Sequence, residues 1–234
     1  MSEVPPPPWA PPAARARGGR RAPLSRESIV DAALAVLDRD GIDGLSMRRV
    51  ADELGTGPAT LYWHVRNKDE LLDLILERVI GEVEPPEPDP ARWKEQLREI
   101  AHAMRAVMNS HRDLARVSLG RWPLGPNALR WLEWILTLTR GAGIPDRDAG
   151  RVGFLFPLYV IGFVLDQDAS GPLPLPEGVT LEEMLDGVRD YFRSLEPHFP
   201  NIAAVADEIV GGDADERFEY GLDVLLAGLE TRAP

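Results

Sequence analysis

Apolar residues along this chain recur every three to four positions, and no stretch alternates convincingly with period two. From Ser25, a suitable N-cap, Ile29, Ala33, Val36 and Leu37 repeat at i, i+4, i+7 and i+8, which predicts a helix ended by Gly41 and Gly44. Ser46 caps a short second helix, Met47 to Leu54, that Gly55 closes. After Thr56-Gly57-Pro58 a third runs from Ala59 to Val65, with Leu61, Trp63 and Val65 expected to face a small core. Asn67 caps a longer helix reaching Val83, with Glu70 placed for a capping box and Leu72, Ile75, Leu76 and Val79 on one face.

Pro85, Pro86, Pro88 and Pro90 then break the pattern. Trp93, Leu97, Ile100, Met104 and Val107 mark an amphipathic helix, and Asn127 to Arg140 is apolar nearly all round, which predicts a buried one. Asp146 is expected to cap the helix carrying the apolar run Val152 to Leu165. Ser170 to Gly178, with three prolines, reads as an exposed loop. Thr180 and Glu183 form a capping box for a helix to about Leu195, and Phe218, Leu222, Leu225, Leu226 and Leu229 define the last. The fold class is all-α, with about nine or ten helices by this pattern.

Two short helices joined by a Gly-containing turn match helix-turn-helix geometry, in which the second helix enters the major groove. Ser46 and Arg48, at the start of the first short helix, can reach phosphates or base edges. Thr60, Tyr62, His64 and Lys68 line the second helix and its exit. Thr60 offers a hydroxyl to phosphate and a methyl to thymine, and Arg48 can pair bidentately with guanine. An ordinary helical hairpin would show the same two helices.

Composition narrows the picture. The chain has 234 residues and no cysteine, which excludes a disulfide scaffold, a thiolate metal site and a cysteine nucleophile. No apolar run near the start suits a signal peptide, and Val152 to Leu165 is 14 residues, short of the roughly 20 that span a bilayer. A soluble, cytoplasmic protein with no membrane partner is expected. The net charge of −12 argues against non-specific nucleic-acid binding by the whole molecule, but it is unevenly spread. Residues 1–81 hold 11 Lys/Arg against 12 Asp/Glu, a net −1, and residues 82–234 hold 15 against 26, a net −11. Arg15, Arg17, Arg20, Arg21 and Arg26 lead the chain with only Glu3 before them. That asymmetry suits a DNA-reading head on an acidic body, and equally a solvated tail. The expected domains are a disordered Pro/Arg-rich arm (1–23), a helix-turn-helix domain (24–70) and a helical effector-binding and dimerisation domain (71–234).

Residues 25–83 resemble the DNA-binding domain of the tetracycline-repressor family of bacterial transcription regulators. The matching stretches are Gly41-Ile-Asp-Gly-Leu-Ser-Met-Arg-Arg-Val-Ala-Asp-Glu-Leu-Gly55 and Thr60-Leu-Tyr-Trp-His-Val-Arg-Asn-Lys-Asp-Glu-Leu-Leu72. Further on, Ser110-His-Arg-Asp-Leu-Ala-Arg-Val-Ser-Leu-Gly120, Val164-Leu-Asp-Gln-Asp168 and Arg217-Phe-Glu-Tyr-Gly-Leu-Asp-Val-Leu-Leu-Ala-Gly-Leu-Glu230 are similar to the regulatory domain of the tetracycline repressors within that family. The resemblance implies double-stranded operator DNA as partner and a homodimer built on a four-helix bundle. Each subunit would supply the helices around Gly153–Leu165 and Phe218–Leu229. Where those repressors hold a magnesium–drug chelate with a histidine and a glutamate, this chain has Ser118 and Asp166. Polar drug-contacting positions correspond to Glu84 and Ile100, and an aromatic one to Met104.

With the imidazole missing and an amide replaced by hydrocarbon, the implied cavity is lined by Ile100, Met104, Met108 and Trp122, with Trp131 or Phe154 beside them. It suits a small, unidentified apolar or aromatic effector. Each of these residues singly would also suit a plain core. No cofactor and no metal site are expected. His102, His111, Asp166 and Asp168 lack usable ligand spacing, and His111-Arg-Asp-Leu114 lacks the other parts of a kinase, leaving chance or a helix cap. No nucleophile has a base beside it, so an enzyme is not expected. The expectation is a repressor released by its effector. The alternatives are a regulator without effector and a ligand carrier with a vestigial head.

Overall fold

The computed structural model describes residues 24–170, 175 and 177–233. The arm at 1–23 and most of the loop between Ser170 and Gly178 lie outside the described residues. So does the side chain of Asp168. The regular elements among the described residues are all helices, without strands, and the chain divides into two compact units. One holds the described residues up to Leu165 and those from Leu229 onward; the other is Asp166–Gly228.

The first unit begins with α1 (Arg26–Gly44), α2 (Met47–Glu53), α3 (Pro58–Leu61) and α4 (Lys68–Ile80). Local chemistry sets their starts. Ser25 accepts from the Ser28 N–H in a reciprocal capping box, Ser46 from Arg49, and Asn67 from Glu70. α1 packs on α2 and α4, and α2 on α3. Their shared core contains Ile29, Ala33, Val36, Leu37, Val50, Leu61, Val65, Leu71 and Ile75, all withdrawn from water. That core takes in α4 as far as Val79, so the fourth helix belongs to the head's packing.

α3 is shorter than the periodicity suggested. It stops at Leu61, and the chain turns through His64 and Val65, both of whose N–H groups bond the Leu61 carbonyl. Leu61 and Val65 are fully buried as expected, but Trp63 is 80% exposed. Residues two apart on a helical turn point to opposite sides, so a buried 61/65 pair forces Trp63 outward.

A single 3₁₀ turn (Pro90–Arg92) leads into α5 (Trp93–Ser110), followed by α6 (Leu114–Ser118), α7 (Pro126–Gly141) and α8 (Asp146–Ser170). α7 buries Trp131, Trp134, Ile135 and Leu138 but leaves Leu132 and Glu133 exposed, so it is amphipathic rather than buried all round. Its indoles fix the linker from α4: Trp131 Nε1 donates to the Ile80 carbonyl at 3.2 Å and Trp134 Nε1 to that of Pro86 at 2.7 Å. α8 has two apolar faces. Ala149, Val152, Phe156, Val160 and Val164 are buried, while Phe154, Leu155 and Leu158 lie exposed on the opposite side. By length and composition its 22 residues Asp146–Gln167 could cross a membrane, a longer stretch than the 14-residue run suggested.

The second unit contains α9 (Leu181–Ser194), α10 (Pro200–Ala204), α11 (Ala206–Val210) and most of α12 (Ala214–Glu230). The Thr180–Glu183 capping box is formed in full. Arg193 bridges α9 to α11 through both oxygens of Asp207, at 2.7 and 2.9 Å. α12 buries Phe218, Leu222 and Leu226. The chain has twelve α-helices among the described residues, more than the pattern count, because α10 and α11 are too short to show a period.

Candidate nucleic-acid interface and effector region

α3 presents a sharply two-sided turn. Leu61 and Val65 anchor it, and Pro58, Ala59, Thr60, Tyr62 and Trp63 all face outward. Pro58 at the first helical position has its φ preset for helix and no N–H left unsatisfied. Tyr62 is 52% exposed, an unusual placement for a large aromatic unless a partner covers it. Trp63, missed by the sequence reading as a surface residue, extends the same aromatic surface.

The other expected DNA-contacting residues fall into two groups. Arg48 is exposed on α2, one residue past the helix start that Ser46 caps. Ser46 itself is half-buried, its Oγ engaged by the Arg49 N–H at 3.3 Å. His64 is half-buried at the exit of the turn, and its carbonyl accepts from Arg26 Nε at 3.0 Å. Lys68 turns inward, donating from Nζ to the Ile42 carbonyl at 2.8 Å, so it ties α4 to the end of α1.

A charged knot behind the aromatic surface holds this exit. The Glu70 carboxylate accepts from the Arg66 backbone N–H at 2.7 Å and from Arg66 Nε at 3.0 Å, and it pairs with Arg26. The capping box expected at Asn67 is thereby shifted by one residue, Glu70 reaching the N–H of Arg66 rather than that of Asn67. Burial pushes the Glu70 carboxyl up, but the Arg66 backbone and side-chain bonds and the nearby Arg26 charge together hold it below the ordinary glutamate value.

Of the residues expected around an effector, Ile100 is buried and Met104 half-buried one turn apart on α5. Met108 packs instead against the head's core. Ser118 ends α6 and donates its hydroxyl to the Leu114 carbonyl at 3.0 Å. Trp122 is 75% exposed, its ring 5.9 Å from that of Phe154 on α8. Trp131 is committed to the linker. Asp166 is exposed and belongs to the second unit. Arg105, next to Met104, lies over the Phe163 ring at 5.1 Å, a cation among apolar groups that the sequence reading did not single out. Among the described residues no cluster of His, Asp and Glu could hold a metal ion.

A capped helix, a glycine turn and a short second helix that runs into an exposed aromatic turn, on a compact four-helix head, define a helix-turn-helix DNA-binding regulator. Comparison with known proteins gives the family. Residues 29–75 match the model of bacterial regulatory proteins of the tetR family, and residues 85–233 match the tetracyclin repressor-like C-terminal domain. The chain belongs to the TetR family of transcriptional regulators. It is 33% identical over 218 residues to an HTH-type transcriptional regulator of Saccharopolyspora erythraea, covering 90% of this chain and 86% of the relative. It is 34% identical over 221 residues to the HTH-type transcriptional repressor DrrR1 of Streptomyces coeruleorubidus, covering 91% and 80%. Among solved structures it is similar to the TetR family protein ActR of Streptomyces coelicolor, at 42% identity. The complex with actinorhodin has a TM-score of 0.82 and coverage of 91% and 98%; that with (S)-DNPA has a TM-score of 0.80 and coverage of 91% and 100%.

Proposed function

We propose that the chain is a homodimeric repressor that leaves a palindromic operator when a small apolar or aromatic effector binds its helical body. The observation that carries the DNA-reading part is the aromatic surface of the turn that follows α3, with Tyr62 and Trp63 outward between a fully buried Leu61 and Val65. Arg48, Thr60, Tyr62 and Trp63 make the direct contacts, and Ser46, His64 and Lys68 add phosphate contacts or set the turn. Two-fold symmetry then requires half-sites about one helical turn apart, or slightly more. Residues 1–23 act as an arm on the DNA, 24–70 as the reading domain and 71–234 as the effector and dimer domain, whose first helix, α4, also closes the head's core.

The exposed stripe of Phe154, Leu155 and Leu158 on α8 supports the dimer. It runs along a helix whose other face is already packed, and a second copy covers it without a lipid surface. For the effector, Ile100, Met104, Trp122 and Phe154 supply apolar and aromatic surface, with Ser118 as a polar contact. ActR's complex with actinorhodin makes actinorhodin a rational first probe. The protein acts without catalysis, in the cytoplasm.

Fluorescence anisotropy on genomic fragments, beginning with DNA upstream of its own gene, tests the reading. Selective, salt-sensitive binding of two subunits per site, reversed by actinorhodin or a ligand of that class, is the expected result. Equal weak binding to every fragment would overturn it.

A further inference from the structure

Asp113 stands directly before α6, in the N-cap position, yet its carboxylate accepts no backbone N–H of that helix. Its backbone is left-handed, at φ 59° and ψ 11°, and among the described residues it is the non-glycine residue with positive φ. Aspartate is one of the few side-chain-bearing residues that visits this region. That conformation sends the carboxylate out of its own helix and back to α1, seventy-one positions earlier, where Oδ2 accepts the Ile42 N–H at 2.9 Å.

α1 is built to receive it. Gly41 breaks the helix at φ 74° and ψ 176°, which turns the Ile42 N–H away from the ladder and leaves it needing an acceptor. A Cβ on Gly41 would lie 2.6 Å from Asp113 Oδ2, so the kink and the carboxylate fit one another closely. Neighbouring side chains of the same turn fasten the same segment. Arg112 Nη1 donates to the Arg39 carbonyl at 2.9 Å. Arg116 Nη1 lies 3.3 Å from Asp113 Oδ1 and 3.1 Å from Asp43 Oδ2. The His111 ring stands 3.1 Å from Asp38 and 3.3 Å from Glu82. The His111-Arg-Asp tripeptide, read from the sequence as chance or a helix cap, is where the chain after α5 fastens onto the end of α1.

We propose that Asp113 is a positioning residue for operator binding: from the start of α6 it caps the broken last turn of α1 and so holds the DNA-binding head in place. The proposal rests on that head being the operator-reading part. Two variants of the full-length protein separate its terms. Asp113→Gly keeps the left-handed backbone and removes only the carboxylate, while Asp113→Asn keeps an acceptor oxygen and tolerates the same backbone.

Amide hydrogen exchange and operator anisotropy are read on both. Asp113→Gly is expected to speed exchange at Ile42 and weaken operator affinity, each by about tenfold, the scale of removing one charge-assisted hydrogen bond. Protection at Val50 and Val65 should stay at its wild-type level, and Asp113→Asn should remain within about threefold of wild type on both readouts. Wild-type exchange at Ile42 or undiminished operator affinity in Asp113→Gly would overturn the proposal. So would an affinity loss matched by reduced protection at Val50 and Val65, or an Asp113→Asn variant as weak as Asp113→Gly. A wild-type protein that binds no genomic fragment would instead sink the functional reading, and Ile42 exchange would still decide the contact.

Discussion

Replacing Glu70 tests the reasoning about the recognition turn most directly. Its side chain is 12% exposed, and it meets the Arg66 backbone N–H, the Arg66 guanidinium and Arg26. A charge-assisted bond to a backbone N–H contributes about 1.5–3 kcal/mol, and half-exposed ion pairs such as those with Arg26 and Arg66 add at most about 1 kcal/mol together. Glu70→Ala should therefore lower stability by about 2–3 kcal/mol, and Glu70→Gln, which keeps an acceptor without the charge, by roughly half of that. The effect is pH-dependent with a defined sign. The folded carboxyl titrates below the ordinary value of 4.5, so its contribution is fully present above 4.5 and is lost as pH falls through the lower folded value. Urea denaturation of wild type and both variants at neutral pH and near pH 3 measures this, and the differences should shrink in acid. Because Arg26 also holds the His64 carbonyl, Glu70→Ala should weaken operator binding as well. A destabilisation under about 0.5 kcal/mol, the scale of an ordinary surface change, or one that persists in acid, would refute the account.

Tyr62→Ala and Trp63→Ala each remove an exposed ring, so operator affinity should fall by about 1–3 kcal/mol while thermal stability stays unchanged, as anisotropy and melting curves will record. Leu61→Ala should behave in the opposite way, costing about 2–5 kcal/mol of stability because the side chain is fully buried. Deleting residues 1–22 should weaken DNA binding and flatten the slope of log affinity against log salt by about 0.9 for each phosphate the arm neutralises; an unchanged slope removes the arm from the mechanism. Leu158→Asp should convert the dimer to monomers in analytical ultracentrifugation and abolish operator binding, since it places a charge in the exposed stripe of α8.

Features set by neighbouring residues were readable in advance. Ser25, Ser46, Asn67 and Thr180 cap helices because a short polar side chain reaches the N–H three positions on, a purely local matter. Tyr62 and Thr60 were readable as an outward face for the same reason. Trp63 was not, because its placement depends on where α3 stops, and four residues are too few for a period to reveal. Lys68 read as a DNA-contacting residue at the exit of the second helix, yet its ammonium meets a carbonyl 26 positions earlier. Asp113 shows the limit most clearly: its partner Ile42 lies in the DNA-reading domain, far off in the chain, and only folding brings them together. The effector region was the least legible, since residues such as Met108 and Trp131 that suit a pocket lining suit a core or a linker contact equally well.

The way the body holds the head bears on how a ligand could move it. Leu114 and Val117 of α6 are buried in the head's own core, so this short helix is packed as part of the head although it follows α5 in the chain. Ser118 ends the same helix, and Arg121 just beyond it bonds Asp69 and Asp73 of α4, each at 2.8 Å. Glu77, further along α4, accepts the Asn127 N–H at the start of α7 at 2.5 Å. The head is thus apolar inside and fastened to the body by α6 and a ring of polar bonds. Close-packed cores resist gradual deformation, whereas partly exposed ion pairs exchange partners at little cost. A ligand that displaces Ser118 by a fraction of its own size therefore acts on a rigid head held by exchangeable contacts. The response such an arrangement favours is rotation of the whole head, with α2 and α3 keeping their mutual geometry, rather than unfolding of the recognition turn.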